Sequence, residues 1–242
     1  MTERRVVVWF SCGAASAVSA KLTLDKYPDA TLAYCDTGSE HPDNRRFMDD
    51  CEQWLGKKVT VLKSSTYKDT WDVFAKTRYL AGVGGARCTT ELKKMVRRDF
   101  EKPDDLQVFG FDRDEKVRAE RFCGNNPEVV TYFPLIEHNL SKDDCFTTIA
   151  NAGIRLPAMY LLGYRNNNCI GCVKGQAGYW NKIRRDFPEV FERMARMERE
   201  LNVALCKSYA VDGKRKRIFL DELDPGFGRY EPIECGLFCG NY

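Results

Sequence analysis

Histidine is scarce in this sequence, and so are long apolar runs. His41 and His138 are the only two histidines in 242 residues, and both read as structural residues and not as catalysts. No apolar run approaches the roughly 20 residues that a membrane-spanning helix requires. The opening MTERRVVVWF lacks the long apolar region of an export leader, so the expectation is a cytoplasmic protein with no membrane contact. Strong charge of either sign is missing too. A net charge of +3 is too small to argue nucleic-acid binding from composition. Repeats and low-complexity linkers are absent, as are the glycine fingerprint GxGxxG and the Walker pattern GxxxxGK(S/T). That disfavours the dinucleotide and P-loop folds.

What remains is an ordinary globular composition, 43% hydrophobic and 30% charged, enough for a core that folds alone. Against it stand eleven cysteines. The chain is too long for a disulfide-framed mini-protein and shows no export signal, so clustered cysteines point to metal ligands or a reactive thiol. The scattered Cys35, Cys51, Cys145 and Cys206 read as small core residues.

The first half alternates between two periods. RVVVWF reads as a buried strand, and SAVSAKLTLDKY as a helix broken at Pro28. ATLAYCDTG is a second strand ending at Gly38, and DNRRFMDDCEQWLG a helix stopped by Gly56. KVTVLKS and LQVFGFD are further strands. This alternation predicts an α/β fold, a parallel sheet with helices on both faces, whose ligands sit beyond the carboxyl ends of the strands. FSCGAAS, CDTG and FGFDRDE all fall at such ends. After Pro134 come a capped helix in SKDDCFTTIANAG, the pair CIGC, a long helix around FPEVFERMARMERELN, the run DGKRKR and the tail ECGLFCGNY. The expected division is an α/β domain over 1–160 and a Cys-bearing C-terminal extension over 161–242. DGKRKR reads as a solvated turn between strands, of consequence only if the substrate is a nucleic acid.

The loop Ser11-Cys12-Gly13-Ala14-Ala15-Ser16 joins strand to helix with small side chains, which suits close approach of phosphate or sulfate to backbone N–H groups. A close-packed turn explains it equally well when taken alone. Together with CDTGSEHPDN, GGARCTTELKK, FGFDRDEKVRAER, FPLIEHNLSKDDCFTTIANAGIRLPAMYLLGYRNNNCIGC and PIECGLFCG, however, it resembles the phosphoadenosine phosphosulfate (PAPS) and adenosine phosphosulfate (APS) reductases. That family lies within the adenine nucleotide alpha-hydrolase superfamily. Asp36-Thr37-Gly38 matches the family's Asp-Thr-Gly. Gly110, Arg113, Glu115 and Arg118 fit a later Gly-x-Arg-type segment, in which Asp112 stands where an arginine is common. Two departures are visible. Ala15 replaces the acidic residue that related ATP pyrophosphatases carry, which argues against ATP cleavage. Phe238 replaces the histidine of the reductases' Glu-Cys-Gly-(Ile/Leu)-His tail.

The resemblance implies a substrate site of Ser11, Cys12, Gly13, Ala14, Ser16, Asp36, Thr37, Gly38, Arg87, Lys93, Gly110, Arg113 and Arg118, with Lys94 beside it. The bound species would be an adenine nucleotide: APS, PAPS or AMP. Cys235 would be the nucleophile. Its attack on the sulfate would release sulfite with the help of a thioredoxin-like reductant. Cys169-Ile-Gly-Cys172 has the spacing used by zinc and by iron–sulfur clusters alike, and also by redox pairs. The resemblance favours a four-iron four-sulfur cluster on Cys88, Cys169, Cys172 and Cys239, with zinc as the alternative. The opposite assignment, Cys235 as ligand, stays open, as does a cluster with three ligands and an open iron. Cys123 reads as a loop residue. Two other functions remain. One is an iron–sulfur sulfur transferase acting on tRNA or DNA after nucleotide activation, and the other a non-catalytic nucleotide-binding module.

Overall fold

The structure, a computed structural model, describes residues 4–82, 84–211 and 214–233. It divides into two compact units. The first comprises 1–36, 42–63 and 95–161, the second 37–41, 64–94 and 162–242. The stretch expected as an extension thus shares its unit with two segments from the first half.

The first unit is built on five parallel strands: β1 (Val6–Trp9), β2 (Thr31–Cys35), β3 (Val59–Leu62), β4 (Leu106–Val108) and β5 (Val130–Tyr132). Their order across the sheet is β3-β2-β1-β4-β5. Winding runs one way from β1 to β3 and the other way from β4 to β5. Right-handed crossovers therefore put α1 (Ala14–Lys26) and α2 (Asn44–Leu55) on one face and α3 (Lys116–Asn125) on the other. The VVVW of β1 is buried throughout, as the central strand of a two-sided sheet must be. The core gathers Val8, Phe10, Leu32, Phe47, Leu135 and Ile149. Charge enters at the edges with partners. Arg5 donates to Asp105, just before β4, and Trp9 Nε1 donates to Gln107 Oε1 at 3.0 Å.

Strands and helices follow the expected order with shifted ends. α1 stops before Pro28, α2 ends at Gly56, and α4 (Lys142–Asn151) starts at Ser141, whose hydroxyl accepts from Asp144 N–H. β2 ends at Cys35 and not at Gly38, because Thr37 N–H turns aside to Glu40 Oε2. β4 ends at Val108, short of the FGFD that was read as its continuation. The three-residue β5 has too little alternation to announce itself. Cys123 lies in α3, not in a loop, with its sulfur 3.4 Å from Thr131 Oγ1. Cys35, Cys51, Cys145 and Cys206 are buried, and burial pushes the last three thiols up to about 12.

The second unit carries a helix at Thr70–Thr77, a two-residue hairpin at Ala81–Gly82 and Gly85–Ala86, and the helices α5 (Ala177–Asp186) and α6 (Pro188–Leu201). It also holds an antiparallel hairpin, Cys206–Val211 with Lys214–Ile218. The cations of DGKRKR are therefore strand residues and not a turn. Buried Glu198 on α6 joins helix to hairpin by accepting Leu205 N–H and Leu220 N–H, each at 2.6 Å.

Candidate functional site

β1 delivers the chain to Ser11, and the turn that follows is tied by one hydroxyl. Ser16 Oγ accepts from Ser11 N–H at 3.0 Å and from Gly13 N–H at 3.3 Å, and donates to Gly13 O at 2.9 Å. Cys12 is buried at φ 54°, so the loop reverses direction over a small residue in the left-handed region. Its carboxyl neighbour across the sheet is the end of β4, where the winding changes direction and such sheets bind ligands. Gly110 sits there. A Cβ at this position would stand 2.9 Å from both Ser16 N and Ser16 Cα, so only glycine lets the chain after β4 meet the first turn of α1.

Tyr160, from the segment LPAMY, approaches the loop from the other side. Its hydroxyl lies 3.0 Å from where a Cβ on Gly13 would be. The ring is held edge-on by Phe146 and lies under the Lys142 ammonium. The segment itself is fixed by Asp43, which accepts Ala158 N–H and pairs with Arg46. That guanidinium holds the Asp43 carboxyl down at about 2. The result is a preformed cradle of Ser11 to Ser16, Gly110 and Tyr160. The first two were expected from the sequence. Tyr160 was not singled out, although its motif was on view.

The other residues expected in the first unit have charged neighbours of their own. Asp36 accepts from Lys63 at 2.9 Å. Arg118 is paired with Glu115 and lies over the Phe111 ring, while exposed Arg113 neighbours Asp114 and Asp144. Burial raises the Glu115 carboxyl despite its arginine. Asp112 is buried and serves as an N-cap, accepting Asp114 N–H.

The second unit holds a cavity with three cysteines in its wall. Cys88, Cys169 and Cys172 line one small cavity of about 20 Å³, with Thr37, Lys93 and Lys174 also in its wall. The Cys-x-x-Cys turn is wrapped around a hydroxyl. Tyr179 Oη accepts Gly171 N–H at 3.1 Å and Cys172 N–H at 2.9 Å, and donates to Cys169 O at 3.4 Å. Burial lifts this phenol well above its ordinary range. Cys169 Sγ lies 3.1 Å from Thr37 Oγ1 and 3.8 Å from Glu40 Oε1. Ser39 O accepts Ile170 N–H, and Ser39 Oγ meets Thr70 Oγ1 at 2.8 Å. Gly38, at φ 66°, makes this packing possible, since a Cβ there would stand 2.4 Å from Lys68 O. The Asp-Thr-Gly segment therefore supports the thiol site through its threonine.

Arg87 pairs with Glu91 at 2.7 Å and does not line the cavity. Lys93 does, from a π-helical turn over Thr90–Lys94 that follows Cys88. Three thiols and no imidazole form a donor set suited to a thiophilic metal or cluster. Yet among the described residues no three such side chains are gathered closely enough to hold a metal ion. Cys235 and Cys239 lie outside the described residues. Thr37 was expected in the nucleotide site and stands beside a thiol instead, while Tyr179 and Lys174 belong to none of the motifs read from the sequence.

Comparison with known proteins now bears on this arrangement. A curated relative, an uncharacterized protein of Methanocaldococcus jannaschii, is 25% identical over 211 residues, covering 82% of this chain and 42% of its own length. The chain thus spans less than half of that relative. Among solved structures, the phosphoadenylyl-sulfate (PAPS) reductase from Candida auris, in a phosphate complex, matches with a TM-score of 0.53 at 11% identity, over 69% of this chain and 82% of that one. At that identity the likeness speaks for the fold alone. The family model of the phosphoadenosine phosphosulfate reductase domain matches residues 5–177, through both the loop after β1 and the Cys-x-x-Cys turn, and the chain belongs to that family.

Proposed function

We propose that this protein is a sulfonucleotide reductase-like enzyme acting on APS or PAPS. The observation that carries the reading is the cradle at the switch point, where Gly110 packs on the backbone of a Ser16-tied loop in a chain of this family. Backbone N–H groups at the start of α1 and the hydroxyls of Ser11 and Tyr160 suit the phosphate and sulfate oxygens of such a nucleotide. The loop's rigidity suits positioning, which is the main task when the leaving group is already good.

The thiolate of Cys235 would attack the sulfate sulfur. The new S–S bond forms as the bond from sulfur to the bridging oxygen breaks, and the nucleotide leaves with that electron pair. A dithiol protein of the thioredoxin type then attacks the cysteine sulfur. Sulfite departs, and the mixed disulfide resolves to free Cys235 and an oxidised partner. Cys88, Cys169 and Cys172, with Cys239, are the residues that would hold an iron–sulfur cluster, or zinc in its place. Bound there, the group would tie Cys88 to the Cys-x-x-Cys turn, while Lys93 and Lys174 in the same wall would supply positive charge that favours thiolate and anionic substrate.

Two measurements test the reading. APS or PAPS without reductant should add the mass of one SO3 group to the protein, and Cys235→Ser should abolish the adduct while sparing nucleotide binding. Anaerobic preparations should carry iron and acid-labile sulfide, lost in Cys169→Ser and Cys172→Ser. Stoichiometric zinc without iron would replace the cluster. If Cys235→Ser loses the metal and forms no adduct while Cys239→Ser loses nothing, Cys235 is the fourth ligand and the reductase mechanism falls.

A further inference from the structure

The second unit contains a larger cavity that the nucleotide reading leaves unused. It is a cleft of about 850 Å³, walled by Lys174, Gln176, Tyr179, Arg217 and Phe219, with Glu231 as its carboxylate. A volume of this size accommodates a small organic group such as a nucleobase. Ala86 and Lys174 line this cleft and the thiol cavity alike, so a guest in one stands a single side chain from the other.

One wall is rich in positive charge. From Leu205 to Phe219 the sequence carries five cations and one carboxylate, in a protein whose overall charge is only +3. Lys214, Arg215, Lys216 and Arg217 are all exposed on a regular strand. Strand alternation sets Arg215 on the face of Arg217, which lines the cleft, and turns Lys214 and Lys216 to the other face. Lys207 is the registered partner of Arg217, a like-charge pair that costs stability in the free protein and gains from an anion laid across it. Arg217 is anchored by donation to Leu205 O. The Phe219 ring is pinned beneath Arg199, 3.9 Å from its guanidinium carbon.

We propose that this hairpin and cleft bind single-stranded nucleic acid, the cationic strand following the phosphates and the cleft receiving a base. Cations in a row beside aromatic rings and amide groups are what recognition of a single strand requires. An acidic protein would match the charge but would leave a base-sized cleft unexplained. The inference rests on residues separate from the nucleotide cradle, so either reading can fail alone.

The test is fluorescence anisotropy of the full chain with labelled RNA and DNA single strands of about twelve nucleotides, titrated across salt. Binding should weaken steeply with salt. Lys214→Ala, Arg215→Ala and Lys216→Ala combined should cut affinity at least about tenfold at low salt and flatten the slope by about 2. Gln176→Glu keeps a side chain of the same shape at an exposed helix N-cap, adds a negative charge in the cleft, and should weaken binding several-fold. AMP affinity, measured by calorimetry, should be unchanged in both. No binding by wild type overturns the proposal. So does wild-type affinity in both variants, or equal competition by polyglutamate, which would assign the face to an acidic protein.

Discussion

The two candidate sites, one in each unit, are built by opposite means. In the first, the cradle is mostly backbone. A hydroxyl ties the loop, a glycine across the sheet supports it, and strand order places both at the switch point. In the second, the reactive groups are side chains brought from Cys88, Cys169 and Cys172, and their positions depend on hydrogen bonds to Thr37 and Tyr179. A backbone site is as rigid as its sheet. A side-chain site is as rigid as its supporting bonds, each of which can be removed without touching the reactive atom.

That contrast can be broken most severely at Gly110. Gly110→Val forces a branched side chain into Ser16 backbone 2.9 Å away, where nothing flexible can yield. Calorimetry should show nucleotide binding lost, and urea unfolding a destabilisation of about 2–3 kcal/mol. Retained affinity would detach the loop from the site.

Next in size is a pH effect confined to the second unit. Burial raises the Glu198 carboxyl from 4.5 to about 7. The folded state therefore binds a proton that the unfolded chain releases between these values. Its stabilisation is complete below about 4.5 and is lost as pH rises through 7, a change of up to about 3 kcal/mol. Urea midpoints should fall across that window in wild type and lie flat in Glu198→Gln.

Tyr179→Phe sharpens the comparison, because it strips the support from the Cys-x-x-Cys turn and leaves both thiols in place. Two buried N–H groups lose their acceptor, at a cost of about 2 kcal/mol. Labelling of Cys172 by a thiol reagent should accelerate, and unchanged labelling would mean the turn holds itself. The smallest effect is expected from Ser16→Ala, about 1 kcal/mol by thermal melting, with nucleotide affinity reduced several-fold. A change in thiol labelling in this variant would contradict the independence of the two sites.

The sheet was readable because four of its five strands announce themselves locally. VVVW, TLAYC and VTVL are short apolar runs bounded by turn residues, and FSCGAAS is contiguous, so spacing alone placed the loop at a strand end. Val130–Tyr132 is too short for any period to register. The basic run after Asp212 looked like a turn because charge dominates its composition, yet pairing with Cys206–Val211 makes it a strand. Edge strands rich in Lys are a known way to discourage further pairing.

By itself, then, the sequence determined the alternating α/β class, the order of its strands and helices, and the residues of the loop after β1, because local periodicity and contiguous small residues dictate these. The tertiary structure alone decided that Tyr179 holds the Cys-x-x-Cys turn, that Thr37 serves a thiol, and that Arg113 and Arg118 have carboxylate neighbours. Contacts between distant segments are set by how whole elements pack, and side-chain chemistry carries no mark of which partner the packing will supply.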